Sequence, residues 1–212
     1  MQERRERMVV EQLEARDIQD PRVLDAMRSV PRHAFVPAEH QELAYADQPI
    51  PIGENQTVSQ PYIVALMSEL AAIRPGDRVL EVGTGSGYQT AILSCLTDQL
   101  SSIEIVEPLA RRAKETLEKL GYRARLRVGD GFAGWPQAGP FDAILVTAAA
   151  PYPPQPLLDQ LKIGARLVIP LGSADQELMV FTRNEHGYSR EAVIPVSFVP
   201  MTGQVRRQEE SA

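Results

Sequence analysis

Glycine occupies every second position in one short stretch of the chain, directly after an acid flanked by apolar pairs. The stretch reads Val79-Leu80-Glu81-Val82-Gly83-Thr84-Gly85-Ser86-Gly87-Tyr88. Glycine has no Cβ and tolerates positive φ, so such a turn lets the backbone approach a ligand closely. A dinucleotide fingerprint has the spacing G-x-G-x-x-G, whereas the pattern here is E-x-G-x-G-x-G. This spacing favours a nucleoside ligand without a pyrophosphate, and the candidate is S-adenosylmethionine. The residues predicted to contact it are Glu81, Gly83, Thr84, Gly85, Ser86 and Gly87.

Acids beyond the glycine turn are candidates for holding the nucleoside. Glu107 lies about twenty residues past the last glycine, where an acid can accept from both ribose hydroxyls. Glu104 competes on the same predicted strand, but its position looks too early to reach past the strand end, so Glu107 is preferred. In Gly129-Asp130-Gly131, the acid can accept from an adenine amino group, although a plain Asp-Gly turn would explain the same residues. The predicted cofactor site therefore adds Glu107, Asp130 and Gly131.

The segment after the fourth predicted strand is nearly apolar, Thr147-Ala148-Ala149-Ala150-Pro151. Amino-group methylases of nucleic acids carry an Asn/Asp-Pro-Pro-aromatic motif at this position. Here Pro151-Tyr152-Pro153-Pro154 lacks the amide or acid that would orient an amine. The missing group indicates a nucleophile that needs no general base, and a carboxylate is one because it is already ionised at neutral pH.

A polar segment, Gly53-Glu54-Asn55-Gln56-Thr57-Val58-Ser59-Gln60-Pro61, directly precedes a predicted helix. Ser59 suits the N-cap of that helix, with Pro61 close behind. A helix N-terminus is also a site for an anionic carboxylate. Ser59 is thus predicted as a cap, and the same position also suits a substrate contact.

The elements that position these residues alternate from Arg78 onward between strand and helix patterns. This alternation predicts a doubly wound, Rossmann-like α/β fold with a mostly parallel sheet, where ligands bind beyond the carboxyl ends of the strands. Two final runs, Leu178–Thr182 and Val193–Val199, are predicted to pair antiparallel at one edge. The predicted strands are Arg78–Val82, Ser102–Val106, Ala124–Val128, Asp142–Val146 and Arg166–Pro170, and the predicted helices are Tyr88–Leu96, Leu109–Leu120 and Pro156–Leu161.

The part of the chain before this alternation is predicted to be helical with a proline-rich interruption. A first amphipathic helix is indicated by Met8, Val9, Leu13 and Ile18, and a second starts at an Asp20 N-cap. Residues 31–61 read as an ordered loop, and a third helix follows over 61–72. We expect one integrated domain: a segment 1–74 that contributes to the substrate site, a cofactor-binding core 75–203, and a disordered tail 204–212.

Composition excludes several classes of function. The net charge of −6 over 212 residues argues against a duplex nucleic acid partner, which usually requires a basic face. The charged start of the chain has no apolar run behind it, so neither a signal peptide nor a membrane span is predicted, and a cytoplasmic location is expected. The three histidines lack the spacing of metal ligands, so no metal is predicted.

Several stretches of the chain together resemble one family, the protein-L-isoaspartate O-methyltransferases. The glycine turn alone indicates only the methyltransferase superfamily, and the Thr-Val-Ser-Gln-Pro and Thr-Ala-Ala-Ala-Pro segments narrow it. The likeness runs from about residue 8 to 203. The resembling segments are Val30–Pro37, Gln56–Tyr62, Val79–Tyr88, Gly129–Gly131 and Phe141–Pro151.

The resemblance implies methyl transfer from S-adenosylmethionine to the α-carboxylate of L-isoaspartyl residues in damaged proteins and peptides, leaving S-adenosylhomocysteine. The ester then closes to a succinimide, which begins repair. By the family pattern Ser59 is the catalytic residue, and Glu107 and Asp130 bind ribose and adenine. The expected partners are isoaspartyl proteins, bound by a monomer, with these substrate contacts: Thr57, Val58, Gln60, Pro61, Thr147 and Ala148.

Two other functions stay open from the residues alone. A methyltransferase for a small molecule or RNA would share the fold and the cofactor residues. A nucleotide-binding regulatory module would share the glycine turn without catalysis. A nicotinamide oxidoreductase is disfavoured by the glycine spacing.

Overall fold

The computed structural model describes residues 1–205 as a sheet-centred fold with a helical N-terminal part. Its α-helices are α1 (Gln2–Met8), α2 (Pro21–Ser29), α3 (Pro61–Leu70), α4 (Tyr88–Ser94), α5 (Glu107–Leu120) and α6 (Gln155–Asp159). Its strands are β1 (Ile50–Gly53), β2 (Gln56–Val58), β3 (Arg78–Val82), β4 (Gln99–Glu104), β5 (Arg125–Val128), β6 (Phe141–Val146), β7 (Leu161–Leu171), β8 (Gln176–Asn184) and β9 (Gly187–Val196).

The main sheet has seven strands in the order β5-β4-β3-β6-β7-β8-β9. Strands β5, β4, β3, β6 and β7 are parallel, and β8 and β9 add an antiparallel edge. The chain enters this sheet at the central strand β3 and adds β4 and β5 on one side of it. It then returns to add β6 on the other side of β3. This reversal creates a crevice at the carboxyl ends of β3 and β6, where open α/β sheets bind ligands. The predicted fold, including its antiparallel edge, is confirmed.

The second parallel strand ends two residues earlier than predicted. Strand β4 ends at Glu104, not Val106, and α5 begins at Glu107. Pro108 in the first turn of α5 explains the shift, because proline is favoured at the start of a helix and its missing N–H costs nothing there. Glu104 is consequently a residue of the carboxyl end of the sheet.

The N-terminal helix is less regular than predicted. After α1 the chain continues as a π-helical segment over Val9–Leu13 and a 3-10 turn over Glu14–Arg16, and Asp17 ends it with a φ of 65°. The Asp20 cap of α2 is confirmed, since its side chain accepts from the Arg22 N–H.

The proline-rich stretch contains a β-hairpin that the sequence patterns did not reveal. Strands β1 and β2 pair antiparallel around Glu54 and Asn55, whose φ values are 53° and 56°. Positive φ at both central residues defines the two-residue turn preferred in hairpins. Strands of three and four residues are too short for alternation to be recognised.

The N-terminal part shares a hydrophobic core with the sheet. Met8, Val9 and Met27 belong to the same buried cluster as Val79 and Leu145. Within residues 1–205, none of the helices is both long and apolar enough to cross a bilayer.

The beginning of the predicted tail is packed, which corrects the expectation of disorder there. Val205 is fully buried, and the Gln204 N–H donates to Asp130 Oδ2 at 2.7 Å. The rest of that prediction, residues 206–212, lies outside the described residues.

A buried polar cluster lies behind the carboxyl end of β3. Glu81 is fully buried, and its Oε2 accepts from the Thr90 hydroxyl at 2.5 Å and the Ser102 hydroxyl at 2.7 Å. Its Oε1 has no partner among the described residues. Burial raises the pKa of the Glu81 carboxyl from 4.5 to about 8, and the Glu104 charge adds to the effect while the two hydroxyls oppose it.

Glu81 makes stability depend on pH. The folded pKa lies above the unfolded value, so its stabilising contribution is present below about pH 4.5 and is lost as the pH rises through about 8. We expect E81Q, which mimics the neutral carboxyl, to gain stability relative to the parent chain between about pH 5 and about pH 8.5, at ~1.4 kcal/mol per pKa unit. Urea unfolding of both proteins measures this difference, and parallel pH profiles would contradict it.

Candidate active site

A pocket of about 810 Å³, counting its open mouth, lies over the carboxyl ends of β3, β4 and β6. Its walls come from the glycine turn after β3, the end of β4 and the segment after β6. The hairpin side and the chain after β9 complete it. The lining residues are Gln56–Ser59, Val64, Val82–Ser86, Gln89, Ile103–Val106, Gly131, Thr147, Ala148 and Val199–Thr202.

The glycine turn has the backbone conformation that its spacing predicts. Gly83, Gly85 and Gly87 have φ values of 100°, 55° and 87°, all in the left-handed region. The N–H groups of Gly83 and Thr84 donate to the Ile103 carbonyl at 2.8 and 3.3 Å. The turn is therefore fastened to the end of β4.

The floor of the pocket leaves no space for side chains at two glycines. A Cβ on Gly83 would lie 2.3 Å from Thr147 Oγ1, and a Cβ on Gly131 would lie 2.3 Å from Val82 Cγ1. Both glycines also line the pocket, and because they have no side chain they present backbone to it. Such a cradle fits a nucleoside approached closely by main chain, as S-adenosylmethionine requires.

Glu104 is the one charged residue among those that line the pocket in the described chain. Its carboxylate accepts from the Gly85 N–H at 2.7 Å and from the Val106 N–H at 2.9 Å. A carboxylate offers about four acceptor positions, so further ones are left for ligand hydroxyls. Glu104 fits the role of the acid that holds a ribose.

Glu107, which the sequence analysis preferred over Glu104, lies away from the pocket that Glu104 lines. Glu107 is the first residue of α5, its side chain is 66% exposed, and it pairs with Arg111 at 3.2 Å. It does not line the pocket. The reason is the early end of β4: an acid in the first turn of a helix stabilises the helix dipole and points into solvent.

Two other predicted cofactor contacts also lie away from the pocket. Glu81 is directed into the buried polar cluster described above and is not among the residues that line the pocket. A Cβ on Gly87 would lie 3.3 Å from Ala113 and Leu117, so this glycine allows α4 and α5 to pack closely. Thr84 and Ser86 line the pocket as predicted.

Asp130 is placed at the rim by contacts within the chain. Its Oδ1 accepts from the Phe132 N–H at 2.9 Å, and its Oδ2 accepts from Gln204. Gly131 lines the pocket, whereas Asp130 is not among the lining residues. The contact of Asp130 with adenine stays a prediction, and the carboxylate additionally anchors the C-terminal segment.

A second cavity of about 920 Å³, again counting its open mouth, adjoins the first. The two share Thr57, Ser59, Thr147 and Val199. Its other lining residues are Pro49, Gln60, Ile63, Pro195, Val196, Ser197 and Phe198. The chain therefore has a pocket over the strand ends and an adjoining cleft, and the two meet at Ser59.

Ser59 is not the helix cap that the sequence suggested. The N-cap of α3 is Gln60, without a side-chain cap bond. Ser59 is half-buried, and within residues 1–205 its hydroxyl has no hydrogen-bond partner. A hydroxyl that caps no helix is available to a bound molecule.

The predicted substrate contacts divide between the two cavities. Thr57 and Thr147 line both, Val58 and Ala148 line the first, and Gln60 lines the second. Thr147 also has a structural part, because its Oγ1 donates to the Gly83 carbonyl at 2.6 Å. Pro61 is buried at the start of α3 and lines neither cavity, so its predicted substrate contact is not seen.

Sequence reasoning missed the walls contributed by the chain after β9. Val199–Thr202 closes one side of the first pocket, and the Met201 N–H donates to the Ala149 carbonyl at 2.7 Å. Nothing in that local sequence indicates a pocket wall.

Glu104 could have been recognised from the sequence as the acid at the strand end. Pro108 marks a helix start, and this start forces β4 to end early.

A family model described as protein-L-isoaspartate(D-aspartate) O-methyltransferase matches residues 3–206. The chain belongs to this family. The match extends over nearly the whole sequence, so it includes the glycine turn, the Ser59 segment and the chain after β9. The resemblance drawn from the sequence motifs is thereby confirmed, and with it the enzyme class.

Relatives and solved structures agree with the family. A protein-L-isoaspartate O-methyltransferase of Gloeobacter violaceus is 54% identical over 198 residues, covering 92% of this chain and 97% of the relative. One of Picosynechococcus sp. is 51% identical over 200 residues, covering 94% and 90%.

Among solved structures, a protein-L-isoaspartate O-methyltransferase superposes with a TM-score of 0.88 at 26% identity, covering 97% of this chain and 69% of its own. A Plasmodium falciparum protein described as a member of the same family, in complex with S-adenosyl-L-homocysteine, has a TM-score of 0.80 at 26% identity, covering 92% and 96%. Both are similar to the present chain over most of its length.

The two neighbouring acids give a matched test of the donor pocket. We expect E104Q to weaken binding of S-adenosylhomocysteine about 10- to 100-fold, as for the loss of charged hydrogen bonds worth ~1.5–3 kcal/mol. E107Q, on the exposed face of α5, should change it less than about twofold, as for a surface ion pair. Titration calorimetry measures both, and the reverse order of effects would restore Glu107 as the ribose acid.

Proposed function

We propose that this chain methylates the α-carboxylate of L-isoaspartyl residues at the junction of the two cavities. The observation that carries the proposal is the position of Ser59, which lines both the pocket over the strand ends and the adjoining cleft. Membership of the family supplies the substrate class. The part of the chain before residue 75 is proposed to form much of the acceptor side, since it contributes Thr57 and Ser59.

The donor side binds through main chain and one acid. Gly83, Gly85 and Gly131 present backbone at the floor, and Glu104 supplies acceptors for ribose hydroxyls. When bound, S-adenosylmethionine supplies an electrophilic methyl group on a sulfonium. The contact of Asp130 with adenine belongs to this proposal, supported by its place at the rim beside Gly131.

The acceptor side binds an anion with neutral donors. In the described chain, neither cavity is lined by lysine or arginine. The Ser59 hydroxyl is therefore proposed to donate to the substrate carboxylate and hold it in line with the donor pocket, with Thr57 beside it. A carboxylate is ionised at neutral pH, so the site needs no general base. Positioning of this kind supplies a large part of the rate in such displacements.

The low charge of the junction favours the reaction. An anion that attacks a cation loses charge in the transition state, and water stabilises the separated charges more than the merging ones. Val58, Val64 and Ala148 reduce the water around the junction. A backbone amide nitrogen of the substrate then attacks the methyl ester and expels methanol, and the succinimide that forms begins repair without further groups from the enzyme.

The wider setting of the activity is also a proposal. We propose that the chain acts as a monomer in the cytoplasm on isoaspartyl proteins and peptides, without a nucleic acid partner. Its net charge of −6 supports the last point. Sedimentation velocity tests the monomer, and cell fractionation tests the location.

A pair of peptides tests the function most directly. We expect methyl transfer from labelled S-adenosylmethionine to a peptide with an L-isoaspartyl residue and none to the same peptide with a normal aspartyl residue. The site must distinguish the two by the position of the carboxylate on the backbone. Equal labelling of both, or labelling of a small molecule or RNA instead, would refute the proposed substrate.

Removing the Ser59 hydroxyl tests its role. We expect S59A to lower turnover about 10- to 100-fold, as for losing a hydrogen bond to a charged group, with calorimetric affinity for S-adenosylhomocysteine nearly unchanged. S29A is the control, because that serine lies on α2 and its hydroxyl donates to the Asp25 carbonyl. If S59A weakens cofactor affinity as much as turnover, Ser59 belongs to the donor pocket alone.

A further inference from the structure

Arg32 is a fully buried cation that the proposed reaction does not use. It lies in a 3-10 turn over Arg32–Phe35 and heads the fully buried side chains by volume. It takes part in none of the ion pairs among the described residues. Burial lowers the pKa of its guanidinium, and the neighbouring Tyr88 opposes that shift. A buried cation without a paired carboxylate needs other partners to be tolerated.

Those partners are backbone carbonyls and an aromatic ring from three separate segments. Arg32 Nε donates to the Ala44 carbonyl and Nη2 to the Ser59 carbonyl, both at 2.7 Å. The guanidinium carbon lies 4.7 Å from the centre of the Tyr88 ring, in cation–π geometry. Its Nη1 has no partner among the described residues. Tyr88 is the first residue of α4, directly after the glycine turn.

The Ser59 carbonyl is held by Arg32 at the point where regular structure is absent. Ser59 follows β2 and precedes Gln60, the cap whose carbonyl accepts the first helical bond of α3, from Val64. Among residues 1–205 the Ser59 hydroxyl has no hydrogen-bond partner. The orientation of Ser59 therefore depends on its backbone. Arg32 fixes the Ser59 carbonyl by a hydrogen bond, and the following residue, Gln60, is fixed as the cap of α3.

Resting on the function proposed above, we propose that Arg32 is a positioning residue that holds Ser59 in register with the glycine turn. The same side chain contacts the segment that carries the acceptor hydroxyl and the residue that follows the donor turn. A hydrophobic side chain of similar volume would fill the space at lower desolvation cost. It would leave the Ala44 and Ser59 carbonyls without their donor.

The planar guanidinium is essential to this arrangement. Its donors form a rigid fork that reaches two carbonyls while the flat face stacks on a ring, whereas a lysine ammonium is a point charge. R32K keeps the positive charge and loses one carbonyl bond and the stacking. R32Q removes the buried charge, so its folding does not require a desolvated cation.

The test compares R32K and R32Q with R166K. Arg166 is a matched control, since it also donates to a backbone carbonyl, that of Leu70 at 2.9 Å, and lines neither cavity. We expect turnover of an isoaspartyl peptide to fall about 10- to 100-fold in R32K and R32Q, as when a reacting group is displaced by about 1 Å. Affinity for S-adenosylhomocysteine should stay within about twofold of the parent, and R166K should retain parental turnover.

Hydrogen exchange provides a readout independent of activity. We expect the amides of residues 64–66, which begin the helical hydrogen bonds of α3, to exchange faster in R32K and R32Q, while those of β3 and β6 keep their protection. Unchanged turnover and exchange in both variants would overturn the proposal. Equal losses of turnover and cofactor affinity would also overturn it, because they indicate a general packing role. An inactive parent chain would refute the proposed function, and the exchange experiment would still judge Arg32.

Discussion

The glycine turn of this protein depends on the end of the neighbouring strand. The left-handed backbone of Gly83 and Gly85 is held by hydrogen bonds to the Ile103 carbonyl and the Glu104 carboxylate. Those acceptors exist at that place only because β3 and β4 are adjacent and parallel, with Val82 opposite Ile103. The acid that supports the turn also faces the pocket, so the support of the loop and the binding of a ligand share one side chain.

The second constraint is the low charge of the junction between the cavities. The residues shared by the two cavities carry hydroxyls on Thr57, Ser59 and Thr147, and the lining residues of the described chain include Glu104 as their only charged group. A lysine at the junction would bind the carboxylate more tightly but would also stabilise its charge against attack. Neutral donors orient the anion and leave it reactive, which suits transfer to a nucleophile that needs no deprotonation.

Three distant parts of the chain meet at this junction. The hairpin side brings Ser59, the segment after β6 brings Thr147, and the segment after β9 brings Val199. Hydrogen bonds hold all three: Thr147 bonds to the glycine turn, Arg32 bonds to the Ser59 carbonyl, and the Ala149 N–H donates to the Val199 carbonyl. The N-terminal part thus forms a wall of the site, since it contributes lining residues such as Ser59. It also covers the sheet, because its buried residues share one core cluster with those of β3 and β6.

The sequence by itself determined the α/β fold, the glycine turn and the family, because hydrophobic periodicity, glycine spacing and the Ser59 segment are local signals. Tertiary structure decided which acid faces the pocket. Glu104 and Glu107 are only three residues apart, but Glu104 ends β4 whereas Glu107 begins α5. It also decided that Ser59 caps no helix and that Glu81 is turned into the core. The pocket wall formed by the chain after β9, and the hydrogen bonds of the buried Arg32, arise from contacts between residues far apart in the chain. No local pattern encodes such contacts.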